Sequence, residues 1–308
     1  METFQGSKSS YSFRFSDYRP NPVSHIAFYF PGFEQDPELL KRYVTEKKYV
    51  DENIERSYFV TVHRIKDGQP RRFLSLQTLN MNVGLMMQQL QTCIDENKSM
   101  LVKVSLVGHS LGAIYARTCL LHLQRKYPQL LFELHELALP NFAWGVFLHQ
   151  SFLWYGGFFS TIHALLLLLL NVVTLGRIVQ FRGYRAPGFV ANGLFLNNLA
   201  DQMTADDIAK AAPPDATLAF FEAALCYGYL SSLRKSEVTR AREAGWNGKH
   251  FVYAARDDRV FRWKDIELYA RKHGTDVIPL EPGYSERFRA KLSESSRSQA
   301  PVTHCPFY

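Results

Sequence analysis

Apolar residues fall into short continuous runs and into longer stretches with helical spacing, and the two patterns alternate along the chain. His25-Ile26-Ala27-Phe28-Tyr29-Phe30 is a continuous run that reads as a strand buried on both faces. Pro37 to Val50 predicts a helix, with Asp36 as N-cap and Pro37 at its first position. Ser57 to His63 predicts a second strand. Leu79 to Asn97 carries Leu79, Val83, Met86, Met87, Leu90 and Ile94 on one helical stripe. Leu101 to Val107 predicts a third strand, and Phe132 to Leu139, Lys249 to Ala255 and Asp276 to Leu280 predict three more. Tyr11 to Phe15 alternates and predicts an edge strand ahead of them. Strand–helix alternation of this kind predicts an α/β chain whose core is a doubly wound, mostly parallel sheet.

One junction breaks the monotony. The run Leu101-Val102-Lys103-Val104-Ser105-Leu106-Val107 enters Gly108-His109-Ser110-Leu111-Gly112, and Ala113 to Arg117 continues at helical spacing. Strand, sharp turn and helix around G-x-S-x-G is the context of a nucleophile elbow. Gly108 and Gly112 must lack side chains so that strand and helix can approach. Ser110 Oγ is then lifted clear of the sheet beside the free N–H groups of the helix start.

With Val107 to Arg117 so arranged, the chain resembles the α/β-hydrolase superfamily, and its Gly-His-Ser-Leu-Gly variant is lipase- or esterase-like. The resemblance runs through most of the chain in order, although its specific motifs are short. Serine esterases related to lipases usually carry Thr-Pro-His at the end of the next strand, where this chain has Leu139-Pro140-Asn141. The resemblance implies that the loop after the His25–Phe30 strand, Pro31-Gly32-Phe33, supplies one oxyanion N–H at Phe33. Leu111, next to the nucleophile, supplies the other.

The resemblance also orders the catalytic members as Ser, acid, His. Arg256-Asp257-Asp258-Arg259-Val260 follows a strand and matches the acid loop through Asp-Arg-Val, which favours Asp258 with Asp257 as the alternative acid. The expected histidine position after Asp276 to Leu280 is occupied by Glu281-Pro282-Gly283-Tyr284-Ser285. Two histidines follow the acid. His273 closes a helical stretch before the last strand and faces away from the catalytic edge; His304 lies in a proline-punctuated loop and is the expected base. His63, at a strand end, reads as a solvent-facing or core-satisfied histidine, and His109, inside the elbow, as a packing residue of the motif.

Composition changes after Asn141. Residues 158–175 contain six consecutive leucines, Leu165 to Leu170, interrupted nearby by His163 and Asn171. A spanning helix needs about 20 apolar residues, so this run suits a lid or lipid-docking segment, a buried cap helix or a short span. Arg177, Arg182 and Arg185 flank it. Asp206 to Lys235 reads as helical around Pro213-Pro214, and Arg234 to Arg242 reads as a solvated charged face. The expected organisation is a hydrolase core at 1–140 and 246–308, with a helical cap or lid insertion at 141–245.

With 308 residues, 46% of them hydrophobic, the chain has material for one large core. Its formal charge of +7 lacks any dense basic helix or zinc-finger spacing, which argues against nucleic acid as partner. Cys93, Cys119, Cys226 and Cys305 are scattered, so neither a metal site nor a disulfide framework is expected. The polar, Ser-rich start has no apolar signal segment, and the expected setting is cytoplasmic or peripheral to a membrane. The expected activity is a serine esterase or lipase without cofactor, with a lipid or other acyl ester as substrate. The same triad would serve an acyltransferase or thioesterase, and a related scaffold without activity would serve as a membrane-associated interaction protein.

Overall fold

A computed structural model gives the architecture; it describes residues 23–32, 35, 37–61, 77–138, 173, 218–219, 222–223, 235–258 and 261–283. Six strands, β1 (His25–Phe30), β2 (Arg56–Phe59), β3 (Lys103–His109), β4 (Leu131–Leu137), β5 (His250–Ala254) and β6 (Val277–Pro279), form one sheet in the order β2-β1-β3-β4-β5-β6. Every neighbouring pair is parallel. Parallel pairing requires crossovers, which place helices over both faces and explain why β1 is buried at all six positions.

Helix α1 (Pro37–Glu46) covers one face with Leu40, Tyr43 and Val44, which pack on Ala27, Tyr29, Val107, Leu137 and Tyr253. Helices α2 (Leu79–Asn97), α3 (Leu111–Lys126) and α4 (Glu237–Glu243) share the core of the other face with Phe28, Phe30, Leu106 and Leu134. Helix α5 (Trp263–Lys272) adds Ile266, Tyr269 and Ala270 against Val252 and Ala254. The doubly wound parallel sheet expected from the sequence is therefore present.

Strand β1 and helix α2 keep the predicted bounds, whereas other elements are shorter than the apolar pattern predicts. Helix α1 stops at Glu46, not Val50, because Lys48 takes φ 54° and the Tyr49 N–H returns to the Val44 carbonyl at 2.9 Å. Strand β2 spans Arg56–Phe59, and β4 ends at Leu137 because Ala138 turns to φ 45°. The start of α2 is closed from two sides. Thr78 accepts from the Met81 N–H at 3.2 Å, and the Glu222 carboxylate accepts from the Leu79 N–H at 2.6 Å.

Arg234 to Arg242 corrects the expectation of a solvated face. In α4, Glu237, Val238 and Ala241 are buried against α3 and β4, with Ser236 capping the helix. The predicted edge strand at Tyr11 to Phe15, the Asp36 cap, His63 and nearly all of the hydrophobic stretch 158–175 lie outside the described residues. Among the described residues, no helix is long and apolar enough to cross a membrane.

Candidate active site

Chain order reverses direction in the sheet between β1 and β3: β1 leads outward to β2, whereas β3 leads to β4, β5 and β6. Such a switch point opens a crevice outside the carboxyl ends of the two strands. Pro31-Gly32 leaves β1 there, and Ser110 leaves β3 there.

Ser110 occupies φ 51° and ψ −121°, a region that non-glycine residues rarely enter. The conformation is held from several directions. Its N–H donates to the Leu137 carbonyl at 2.9 Å, and its own carbonyl accepts from Ala113 N–H at 3.0 Å. A Cβ on Gly108 would lie 2.5 Å from Ala113 Cα, and one on Gly112 would lie 2.0 Å from the Phe30 carbonyl oxygen. Both glycines are thus required by close backbone approach, as the elbow pattern predicts. Ser110 caps α3 without using its hydroxyl, so Oγ is not spent on the helix. The Leu111 N–H, at the first position of α3, has no preceding turn of helix to accept it and lies at the positive end of the helix dipole.

Another serine looks competent at first sight and is not. His25 Nε2 lies 2.9 Å from Ser105 Oγ, and His25 Nδ1 is 4.0 Å from Asp51 Oδ2. Ser105 is 0% exposed in the middle of β3, whereas Ser110 keeps 8% of its surface at the strand end. No substrate can reach Ser105. Its neighbours form a polar row, buried at Glu133 and part-exposed at Lys103 and Asp51, in which Lys103 bonds Asp51 at 3.0 Å and Glu133 at 2.9 Å. Burial opposes ionisation of Glu133, yet the adjacent His135 and Lys103 prevail and hold its carboxyl down at about 2.

The acid loop follows β5. Asp258 is buried and its Oδ1 accepts from the Phe261 N–H at 3.0 Å, which fixes the carboxylate at the turn into α5. Asp257 is exposed. Strands β3 and β5 are separated by β4, so their ends stand about 10 Å apart at ~4.8 Å per strand. An imidazole fills a gap of that size.

His273 is excluded as that imidazole. It sits at the C-cap of α5, its Nε2 is 3.1 Å from Ser236 Oγ, and its ring packs on Tyr269 at 4.5 Å. Burial lowers its pKa to about 4. His304 and Phe33 lie outside the described residues. Glu281, Pro282 and Gly283 are described, and Tyr43 and Tyr49 bond the Glu281 backbone at 2.6 and 2.8 Å.

Sequence reasoning missed a second group beneath the crevice. Glu136, in β4, is 0% exposed and accepts from Tyr269 Oη at 2.9 Å, with His250 Nε2 at 2.7 Å. Arg117, from α3, stands 3.6 Å from Glu136 and 3.8 Å from Glu237. Desolvation pushes the Glu136 carboxyl up, but His250 and Arg117 outweigh it and the net shift is downward. These charges tie α3, which carries Ser110 at its start, to β4, β5, α4 and α5.

Set beside known proteins, the chain matches no family model, and no curated protein sequence matches it. Its fold does have counterparts. A carboxylesterase of the ammonia-oxidizing thaumarchaeon Nitrososphaera gargenis is similar over 97% of this chain and 96% of its own, with TM-score 0.52 and 12% identity. A thermophilic esterase from Thermogutta terrifontis is similar over 90% and 88%, with TM-score 0.50 and 14% identity. The sheet order, the elbow and these likenesses define the class: the chain has the α/β-hydrolase fold.

Proposed function

We propose that the protein is a serine hydrolase of the esterase or lipase type, cleaving carboxylic esters through an acyl-enzyme. Ser110 Oγ attacks the ester carbonyl while His304 takes its proton, and Asp258 fixes the His304 tautomer and stabilises the imidazolium. The carbonyl oxygen becomes an oxyanion held by the N–H groups of Leu111 and Phe33. Collapse expels the alcohol, which leaves with the proton from His304. Water, deprotonated by His304, then attacks the acyl-enzyme, and Ser110 recovers its proton as the acid departs.

The observation that carries this reading is Ser110 itself. A non-glycine residue at φ 51° costs about 1–3 kcal/mol, and two close-packed glycines hold it there at the switch point of the sheet. Positive φ alone also occurs at the structural turns of Lys48 and Ala138; what sets Ser110 apart is its ψ of −121°, outside the left-handed well, at a strand-to-helix turn whose serine hydroxyl the helix does not use. Burial and the bond from Phe261 support Asp258 over Asp257 as the acid.

The substrate is proposed to be a lipid or other acyl ester, with residues between 141 and α4 as a cap and the apolar stretch 158–175 facing acyl chains or a lipid surface. Labelling by a fluorophosphonate probe tests the chemistry. Loss in both Ser110→Ala and His304→Ala supports the triad. Loss in Ser110→Ala alone moves the base elsewhere, and an unlabelled wild type overturns the hydrolase reading in favour of an inactive scaffold. A preference for short soluble esters over long acyl chains would remove lipid from the substrate class.

A further inference from the structure

The Gln35 side chain ties the loop after β1 to the elbow. Gln35 is 1% exposed, and its Oε1 lies 2.6 Å from the Gly32 backbone nitrogen and 2.9 Å from His109 Nδ1. Only the amide oxygen can accept from a backbone N–H, so the orientation of the Gln35 amide is fixed by Gly32. Because Oε1 cannot donate, His109 Nδ1 carries a hydrogen. One carbonyl oxygen therefore holds two donors, one on the loop and one on the residue that precedes Ser110.

Two further contacts reinforce this register. Gln35 N–H returns to the Gly32 carbonyl at 3.2 Å. A Cβ on Gly32 would meet His109 Nδ1 at 2.8 Å, so the loop backbone rests directly on the ring. The Gly32 N–H is used up by Gln35 and cannot serve an oxyanion. The far end of the same amide, Nε2, is buried without a partner among the described residues, a cost of about 1–3 kcal/mol. A leucine or methionine of similar volume would avoid that cost and fill the space. Retention of an amide is therefore explained by what its oxygen does.

We propose that Gln35 is the positioning residue of the oxyanion loop, its amide oxygen setting the interval Gly32 to Gln35 against His109 and hence against Ser110. This rests on the serine hydrolase reading above, in which that interval supplies a donor to the oxyanion. Misplacement of an oxyanion donor by about an ångström is worth roughly a hundredfold in rate. Gln35→Met keeps volume and removes the acceptor; His109→Phe keeps the ring and removes the donor.

The test measures kcat and KM on a p-nitrophenyl ester, with active sites counted by fluorophosphonate titration so that misfolded protein is excluded. Each variant is expected to lose about 10- to 100-fold in kcat per titrated site with KM within threefold. The double variant should be no worse than the poorer single one, because both remove the same bond. Turnover per site within twofold of wild type in either variant, or losses that multiply in the double variant, would overturn the proposal. If Gln35→Met does not fold, His109→Phe decides alone. A wild type that fails to titrate sinks the hydrolase reading first and this inference with it, a result distinct from an active wild type with indifferent variants.

Discussion

Gly112 lies so close to Phe30 that a methyl group on its Cα would stand 2.0 Å from the Phe30 carbonyl oxygen. The start of α3 is thereby pressed onto the end of β1, which brings the loop after β1 and the nucleophile together. Gly112→Ala is expected to destabilise the protein by about 3 kcal/mol, at the upper end of overpacking costs, because the clash is with backbone. Chemical denaturation of wild type and variant measures this, and a loss under 1 kcal/mol would mean that α3 can slide without harm.

The strained serine gives an opposite expectation. Ser110→Gly should stabilise the fold by about 1 kcal/mol, since glycine enters positive φ without penalty, while Ser110→Ala should leave the strain in place. Both variants should be inactive. Thermal denaturation separates them, and a Ser110→Gly midpoint at or below that of Ser110→Ala would contradict the strain.

The two adjacent aspartates should differ sharply. Asp258→Asn is expected to lower kcat by about 10³- to 10⁴-fold, the scale of a lost triad carboxylate, while Asp257→Asn stays within threefold. Steady-state kinetics on one ester is sufficient, and the reverse pattern would move the acid to Asp257.

Acid should destabilise the protein through buried groups, among them His273 and Glu136. His273, lowered to about 4 from an ordinary 6.5, is held neutral in the folded chain, so its contribution is complete above pH 6.5 and is lost as pH falls toward 4. Glu136 is also shifted down, so its contribution holds above the ordinary carboxylate value of 4.5 and disappears as pH falls through its lower folded value. Melting midpoints measured from pH 8 to 4 should decline through this range, and His273→Gln should flatten the upper part of the decline.

Removing one member of the buried ionic group should cost more than any surface pair. Glu136→Ala strands His250 without its carboxylate, leaves Arg117 only Glu237, and is expected to destabilise by about 3–5 kcal/mol. Lys48→Ala, which breaks an exposed pair with Glu52, should cost under 1 kcal/mol. Equal losses in denaturant midpoints would refute a special role for the interior charges.

The sheet was legible in the sequence because β1 and β3 carry continuous apolar runs and the elbow carries glycines at both close contacts. The ends of α1 and β4 were not, since Lys48 and Ala138 adopt positive φ without a glycine to announce it. Strand β4 misleads for a different reason. Leu131-Phe132-Glu133-Leu134-His135-Glu136-Leu137 alternates like a half-exposed strand, yet it is central and its polar residues are buried. Their partners, Lys103, His250, Arg117 and Tyr269, come from distant segments that local periodicity does not connect. Gln35 escaped notice similarly, because its meaning depends on His109 across a gap in sequence.

The bond from Ser110 N–H to the Leu137 carbonyl has a consequence for the order in which the protein is made. A ribosome delivers β1, β3, α3 and β4 long before it reaches Asp258, so every backbone contact that bends the elbow is available to a half-finished chain. The backbone contacts that shape the nucleophile thus lie within the first half of the chain, while the carboxylate that would arm it follows β5. On the proposed chemistry, bending the serine and arming it are tasks written in separate stretches of one sequence.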